Sequence, residues 1–262
     1  MKPLLLMSLL SRHPQEFFER ASTIVVSRWE SLHGKRAAYE VVSTEKAIRL
    51  VQDKIDVPLM DSFAEPGLAE LAEQIGKHQL NGPEHGPFGT FHNGGSLLAQ
   101  FCYAITRCMR PSIVLETGVC YGVTSSYFLR ALELNGTGQL HSIDLPPLGK
   151  NADAYVGSFV PGQLRRRWML HRGTTRRLLR PLLASMGHVD VFLHDSLHTY
   201  RNMRMEFAAV WPKLSCGGVL ISDDVEGNAA FDELVRQRDV ALSLVLKETG
   251  KKSLFGVAIK AR

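Results

Sequence analysis

The stretch VLETGVCYGVTSSYFL, residues 114–129, decides the fold. An apolar run ends on Glu116, Gly118 and Gly122 bracket a short loop, and helical periodicity resumes near Val123. This is a strand, a tight turn and a helix, the opening βα unit of a parallel sheet. The glycines permit positive φ and a close backbone approach, and the N–H groups at the helix start can face an anionic group. The dinucleotide fingerprint GxGxxG is missing, because position 120 is Cys.

Working outward, short β-branched runs alternate with helical periodicity from residue 112 onward: SIVLET, GQLHSID, WMLHR, VDVFLH, GGVLISD, then ALSLVLKE and SLFGVAIK. Strands spaced by helices predict an α/β fold, a mostly parallel Rossmann-like sheet with helices on both faces. The last two runs are joined across TGKK with no room for a crossover helix, so they are expected to pair antiparallel and leave one reversed strand. Residues 1 to about 80 read as mostly helical, and the Gly/Pro/His-rich NGPEHGPFGTFHNGGS (81–96) reads as a loop. The expected division is an N-terminal helical extension and linker, 1–95, with substrate or dimer contacts, and a ligand-binding domain, 96–262.

Composition bounds the function. The 262 residues are 45% hydrophobic and 22% charged, with a net charge of +5, which is ordinary globular material. Arg165, Arg166, Arg167, Arg172, Arg176, Arg177 and Arg180 cluster, and they read as a solvated helix face and its flanks. With no aromatic-interleaved signature beside them, nucleic acid is not the expected partner. Cys102, Cys108, Cys120 and Cys216 form no CxxC and suit a reducing, cytoplasmic setting. No segment approaches the roughly 20 apolar residues of a membrane span. The N-terminal run continues at helical spacing through Phe17, Phe18, Ala21, Ile24 and Val25, and reads as an amphipathic start to the fold.

In such sheets ligands bind beyond the carboxyl ends of the strands. Glu116 ends the first strand, where an acid repels pyrophosphate but suits an ammonium group. Asp144, ending LHSIDLPP, stands where a carboxylate can accept ribose hydroxyls. A ligand with an amino-acid head and a nucleoside tail answers both acids, which describes S-adenosylmethionine.

The series VLETGVCYGVTS, LHSIDLPP, HRGTTRRLL, VDVFLHDSLHTY and LSCGGVLISDDV resembles the successive motifs of class I S-adenosylmethionine-dependent methyltransferases over roughly residues 95–262. It is most similar to the macrocin O-methyltransferase-type branch of small-molecule and sugar O-methyltransferases. The resemblance implies a seven-stranded sheet with a reversed last strand. It also implies that Glu116, Gly118 and Gly122 line the methionine end, Asp144 the ribose, and Gly173 with Thr174 the adenine.

Two later strands also end in acids: Asp195 after VFLH, and Asp223 and Asp224 after GGVLIS. These strands are expected to be neighbours, so their carboxylates converge beside the methyl donor, with Asp195 on both the donor and the metal side. Crowded anions repel unless a cation such as Mg²⁺ sits among them, and the resembling branch uses acids at matching places. His198, three residues past Asp195, is the candidate base, while His194 is expected to point away and serve structure. The simpler alternatives are that Asp195 caps a helix starting near Thr199 and that Asp223 and Asp224 cap one starting near Asn228. The expected activity is methyl transfer to a hydroxyl of a small molecule or saccharide, with a homo-oligomer as a further expectation. Competing classes are a degenerate methyltransferase fold that binds RNA or a nucleotide, and an NAD-dependent oxidoreductase. The insert PPLGKNADAYVGSFVPG (146–162) is expected to be a lid over the acceptor.

Overall fold

A computed structural model describes residues 3–80, 86–88, 95–149, 151–236 and 239–262. Most of the 81–96 loop therefore lies outside the described residues. The apolar runs become β1 (Ile113–Thr117), β2 (Gln139–Asp144), β3 (Trp168–Arg172), β4 (Val189–His194), β5 (Leu214–Ser222), β6 (Val240–Lys247) and β7 (Leu254–Lys260). They form one seven-stranded sheet in the order β3-β2-β1-β4-β5-β7-β6. Only β7 runs against its neighbours, pairing antiparallel with both β5 and β6, as the short TGKK link requires.

Helices cover both faces because the inner strands bury side chains on both sides. One face packs α3 (Thr44–Ile55), α4 (Leu59–Phe63), α6 (Ser96–Met109) and α7 (Val123–Asn135) on Val114, Leu140, Val191, Val219 and Val257. The other packs α9 (Thr175–Met186), α10 (Tyr200–Val210) and α11 (Ala230–Val235) on Leu115, Ile143, Phe192, Leu220 and Ala258. The helix α5 (Pro66–Leu80) forms a further layer through Leu68, Leu71 and Ile75, beside Tyr121 and Tyr127.

Two features concern the N-terminal region. Ala47, Ile48, Val51 and Leu59 share one buried cluster with α6 and the sheet. Among the described residues, the first two helices, α1 (Pro3–Arg12) and α2 (Pro14–His33), contribute none to the three buried apolar clusters. Their periodic apolar positions face elsewhere: Phe18 and Val25 are exposed.

Main-chain pairing continues one step past the strand ends. Gly118 N donates to Ile143 O (2.9 Å), Gly173 N to Asp144 O (2.8 Å), Asp195 N to Thr117 O (2.8 Å) and Asp223 N to His194 O (2.9 Å). The loops that carry the predicted chemistry are thus held in register along one edge.

Candidate active site

The glycine loop is built mainly by its neighbours. Gly118 (φ +86°) passes so close to β4 that a Cβ would lie 1.9 Å from Asp195 O, and at Gly122 (φ +87°) it would lie 2.7 Å from Gly157 Cα. Both glycines are therefore required by protein packing before any ligand is considered. Asp144 Oδ2 accepts from Val119 N (2.7 Å) and Cys120 N (2.9 Å), so this carboxylate holds the loop. Burial raises its pKa against the lowering effect of those two N–H groups.

Glu116 lies beneath the loop, almost wholly buried. Its Oε2 accepts from Ser125 Oγ and Ser142 Oγ, both at 2.7 Å. Burial dominates the two hydroxyls and the Asp144 charge adds to it, pushing the pKa up to about 7. The carboxylate thus stands buried between a residue of α7 and one of β2. Gly173 directly follows β3, and Thr174 Oγ1 is buried without a hydrogen-bond partner at the start of α9. That hydroxyl is free to hydrogen-bond at the position expected for the adenine.

The insert 146–162 is anchored to the glycine loop. Gly157 N donates to Cys120 O and Phe159 N to Tyr121 O, each at 2.9 Å, and the Phe159 and Tyr121 rings stack at 5.0 Å. Its α8 (Ala152–Tyr155) is a single turn.

The ends of β4 and β5 bring Asp195, Asp223 and His198 together, with one potential ligand atom from each lying within 4.8 Å of the others. Asp224 stands outside that group and behind the imidazole: its Oδ2 lies 3.0 Å from His198 Nδ1. The structure thus groups His198 with two of the three expected aspartates and sets Asp224 against the imidazole. His198 Nε2 is 3.7 Å from Asp195 Oδ1, too far for a hydrogen bond, and has no partner. Burial and the Asp223 charge raise the Asp195 pKa well above the carboxylate range, and burial raises that of Asp223. Burial alone would lower the His198 pKa, but the hydrogen bond it donates to Asp224 and the surrounding carboxylates carry it up to about 9. The His198 hydrogen bond pulls Asp224 down. Two mutually repelling carboxylates next to an orphaned imidazole nitrogen fit a divalent cation.

The simpler cap readings fail. The cap of α10 is Thr199, whose side chain accepts from Asn202 N, and before α11 Asn228 Oδ1 accepts from Ala230 N. His194 turns inward as expected. Its Nδ1 lies 2.7 Å from Oε2 of Glu206, a fully buried residue of α10 that sequence reasoning missed. Glu206 also accepts from Thr117 Oγ1 (2.7 Å), Ser196 Oγ (2.8 Å) and Asn202 Nδ2 (2.9 Å). The available signal was an acid at position 206 among Met203, Phe207 and Val210, on the apolar face of its helix. Equally unforeseen is α2, which crosses the same edge. Arg20 donates to Pro146 O (2.7 Å), Glu16 pairs with Arg172 (3.0 Å), and Glu30 accepts from Tyr200 N (2.6 Å) and Arg201 N (3.1 Å).

Residues 115–225 match the family model described as a methyltransferase domain. The chain has the class I methyltransferase fold. Two solved structures are similar to this methyltransferase fold. The O-methyltransferase TomG from Streptomyces achromogenes, involved in tomaymycin synthesis and in complex with SAM, shares 17% identity over 76% of this chain and 91% of that chain, with a TM-score of 0.55. The O-methyltransferase from Bacillus cereus in complex with SAH shares 16% identity over 75% and 91%, with a TM-score of 0.54. Among curated proteins none matches the chain. No helix of the described residues is long and apolar enough to cross a membrane.

Proposed function

We propose that the chain transfers the methyl group of S-adenosylmethionine to a hydroxyl oxygen of a small molecule or saccharide. The observation that carries this reading is the convergence of Asp195, Asp223 and His198 at the carboxyl edge, directly beside the glycine loop that touches Asp195 O through Gly118.

The donor would lie along that loop, with Asp144 toward its ribose and the Thr174 hydroxyl and Gly173 toward its adenine. The acceptor oxygen attacks the methyl carbon in line with the departing sulfur; the carbon–sulfur bond breaks and S-adenosylhomocysteine leaves. The hydroxyl proton passes to His198 Nε2, which faces the cluster while Asp224 fixes the ring through Nδ1. Asp195 and Asp223 would hold a divalent ion such as Mg²⁺, with Asp224 anchoring the adjacent imidazole. When bound, such an ion supplies positive charge that offsets the carboxylates and lowers the pKa of an acceptor hydroxyl. That offset matters for His198, because the carboxylates alone hold its imidazolium charged up to about pH 9 and a charged imidazole cannot take a proton.

Both cited O-methyltransferase structures carry the donor or its product, which supports the donor reading. The RNA-binding and dehydrogenase alternatives gain no support from either comparison. Titration calorimetry with S-adenosylmethionine, NAD and RNA tests the proposal. Binding of the methyl donor, followed by label transfer to hydroxyl acceptors that a chelator suppresses, is the expected result. Binding of NAD or RNA with none of the donor overturns it, and transfer indifferent to chelation removes the ion from the reading.

A further inference from the structure

The helix α2 is amphipathic in the reverse sense. With successive residues about 100° apart, Phe18, Val25, Trp29 and Leu32 fall within an arc of about 60°. This apolar arc faces solvent, at 63%, 67%, 61% and 79% exposure. The opposite arc carries Glu16, Arg20, Thr23, Ser27 and Glu30, and it is this polar arc that fastens α2 to the fold, through Arg172, Pro146 O and the first N–H groups of α10. Beside it α1 packs on α2 and adds exposed Met7 and Leu10. Scattered exposed apolar residues need no explanation, but a contiguous stripe on a helix held by its polar side does. A groove of about 630 Å³ between α2 and α10 extends the patch, lined by Val25, Trp29, Tyr200 and Met205, with Arg201 and Arg204 against the single acid Glu30.

Charge selects the occupant. Among residues 6–36 every charged side chain in the exposed class is basic: Arg12, Arg28, Lys35 and Arg36, whereas Glu16 is buried and Glu19 and Glu30 are half-buried. Arg201 and Arg204 of α10 are exposed at the same groove, and Arg204 reaches Glu233 only at 4.0 Å. A second copy docking on the same face would bring one set of exposed cations up to another, with no exposed acid of residues 6–36 to offset them. Aromatic and aliphatic side chains rimmed by arginine and lysine instead match a surface of anionic headgroups over acyl chains.

We propose that the outer face of α1 and α2 docks on an anionic lipid surface, with α2 lying flat along it. The inference stands apart from the methyl-transfer reading, since it uses none of the proposed site residues.

The test is co-sedimentation of the full chain with vesicles of phosphatidylcholine containing phosphatidylglycerol, against pure phosphatidylcholine. Expected is partition onto the anionic vesicles only, weakened about fivefold by Arg28→Gln and at least about tenfold by Val25→Glu with Trp29→Glu. These side chains are on the surface, and unchanged circular dichroism shows the variants folded; Arg28→Gln reads out the charge dependence by itself. Failure to bind anionic vesicles, or equal partition onto neutral ones, overturns the proposal. So does self-association in sedimentation velocity that Val25→Glu with Trp29→Glu abolishes while vesicles are ignored, which would assign the face to a second copy.

Discussion

Two acidic pockets flank the end of β4, and they are opposites. Behind the strand, Glu206 is fully buried yet its carboxylate is fully partnered: His194, Thr117, Ser196 and Asn202 all give it hydrogen bonds, although His194 Nε2 itself has no partner. Burial alone would raise its pKa, but the His194 charge and these donors pull it down to about 2. In front, Asp195 and Asp223 are raised by burial, Asp195 further by the charge of Asp223, and His198 Nε2 has no partner. A buried charge that the protein satisfies is architecture, whereas one left unsatisfied marks where something else is meant to bind. The first pocket fixes the loop from 195 to 199 so that the second can keep its shape.

If that contrast is right, removing the complete anion should do the most damage to the fold. Glu206→Leu leaves His194 and three further donors without their acceptor, and a loss of about 3–5 kcal/mol is expected. Urea denaturation reads it, and a loss below about 1 kcal/mol would place the stability elsewhere.

The front pocket should respond the other way. Asp223→Asn removes a repelling charge, so the ligand-free protein should be as stable as the wild type or more so. Methyl transfer should nevertheless fall about a hundredfold, equivalent to about 2.7 kcal/mol of transition-state stabilisation. The wild type should melt at a higher temperature when Mg²⁺ is added, and the variant should lose that gain. A variant that is destabilised and keeps the Mg²⁺-induced rise in melting temperature would show the front acids to be structural instead.

Acid sharpens the comparison further. The pKa of Glu206 falls from 4.5 to about 2 on folding, so its contribution is fully present above 4.5 and disappears as the pH drops toward 2. Between pH 5 and pH 3 that amounts to about 2 kcal/mol. Unfolding free energies of the wild type and Glu206→Gln should therefore converge by this amount over the interval. A constant gap would mean that Glu206 is not ionised in the fold.

The front pocket was legible in the sequence and the rear one was not, for a physical reason. Asp195, Asp223 and His198 follow strands whose apolar runs and order can be read locally, and parallel neighbours must bring their ends together. The same logic recovered β1 to β7 and the reversed β7. Glu206 is defined by partners as far away as Thr117, 89 positions earlier, and a helix pattern shows only that one acid lies on an apolar face. Asp224 shares a dipeptide with Asp223, but its positive φ of 49° turns it to the far side of His198, which composition cannot reveal. For α2 the periodicity gave two arcs without saying which faces inward, and the usual assumption put Phe18 and Val25 on the wrong side.

The smallest effect separates orientation from occupancy within the front pocket. Asp224 touches His198 Nδ1, while the trio of convergent groups excludes it. Asp224→Asn keeps the side-chain shape and a hydrogen-bonding atom near Nδ1 but removes the charge that holds the ring. If Asp224 only orients the imidazole, kcat should fall about tenfold, roughly 1.4 kcal/mol, with donor affinity by calorimetry unchanged and the Mg²⁺-induced rise in melting temperature retained. If Asp224 is instead an ion ligand, as the order of acids along the sequence suggests, that rise should shrink as it does for Asp223→Asn. The two variants side by side thus decide whether the site is two carboxylates with an oriented imidazole or three carboxylates with a histidine outside them.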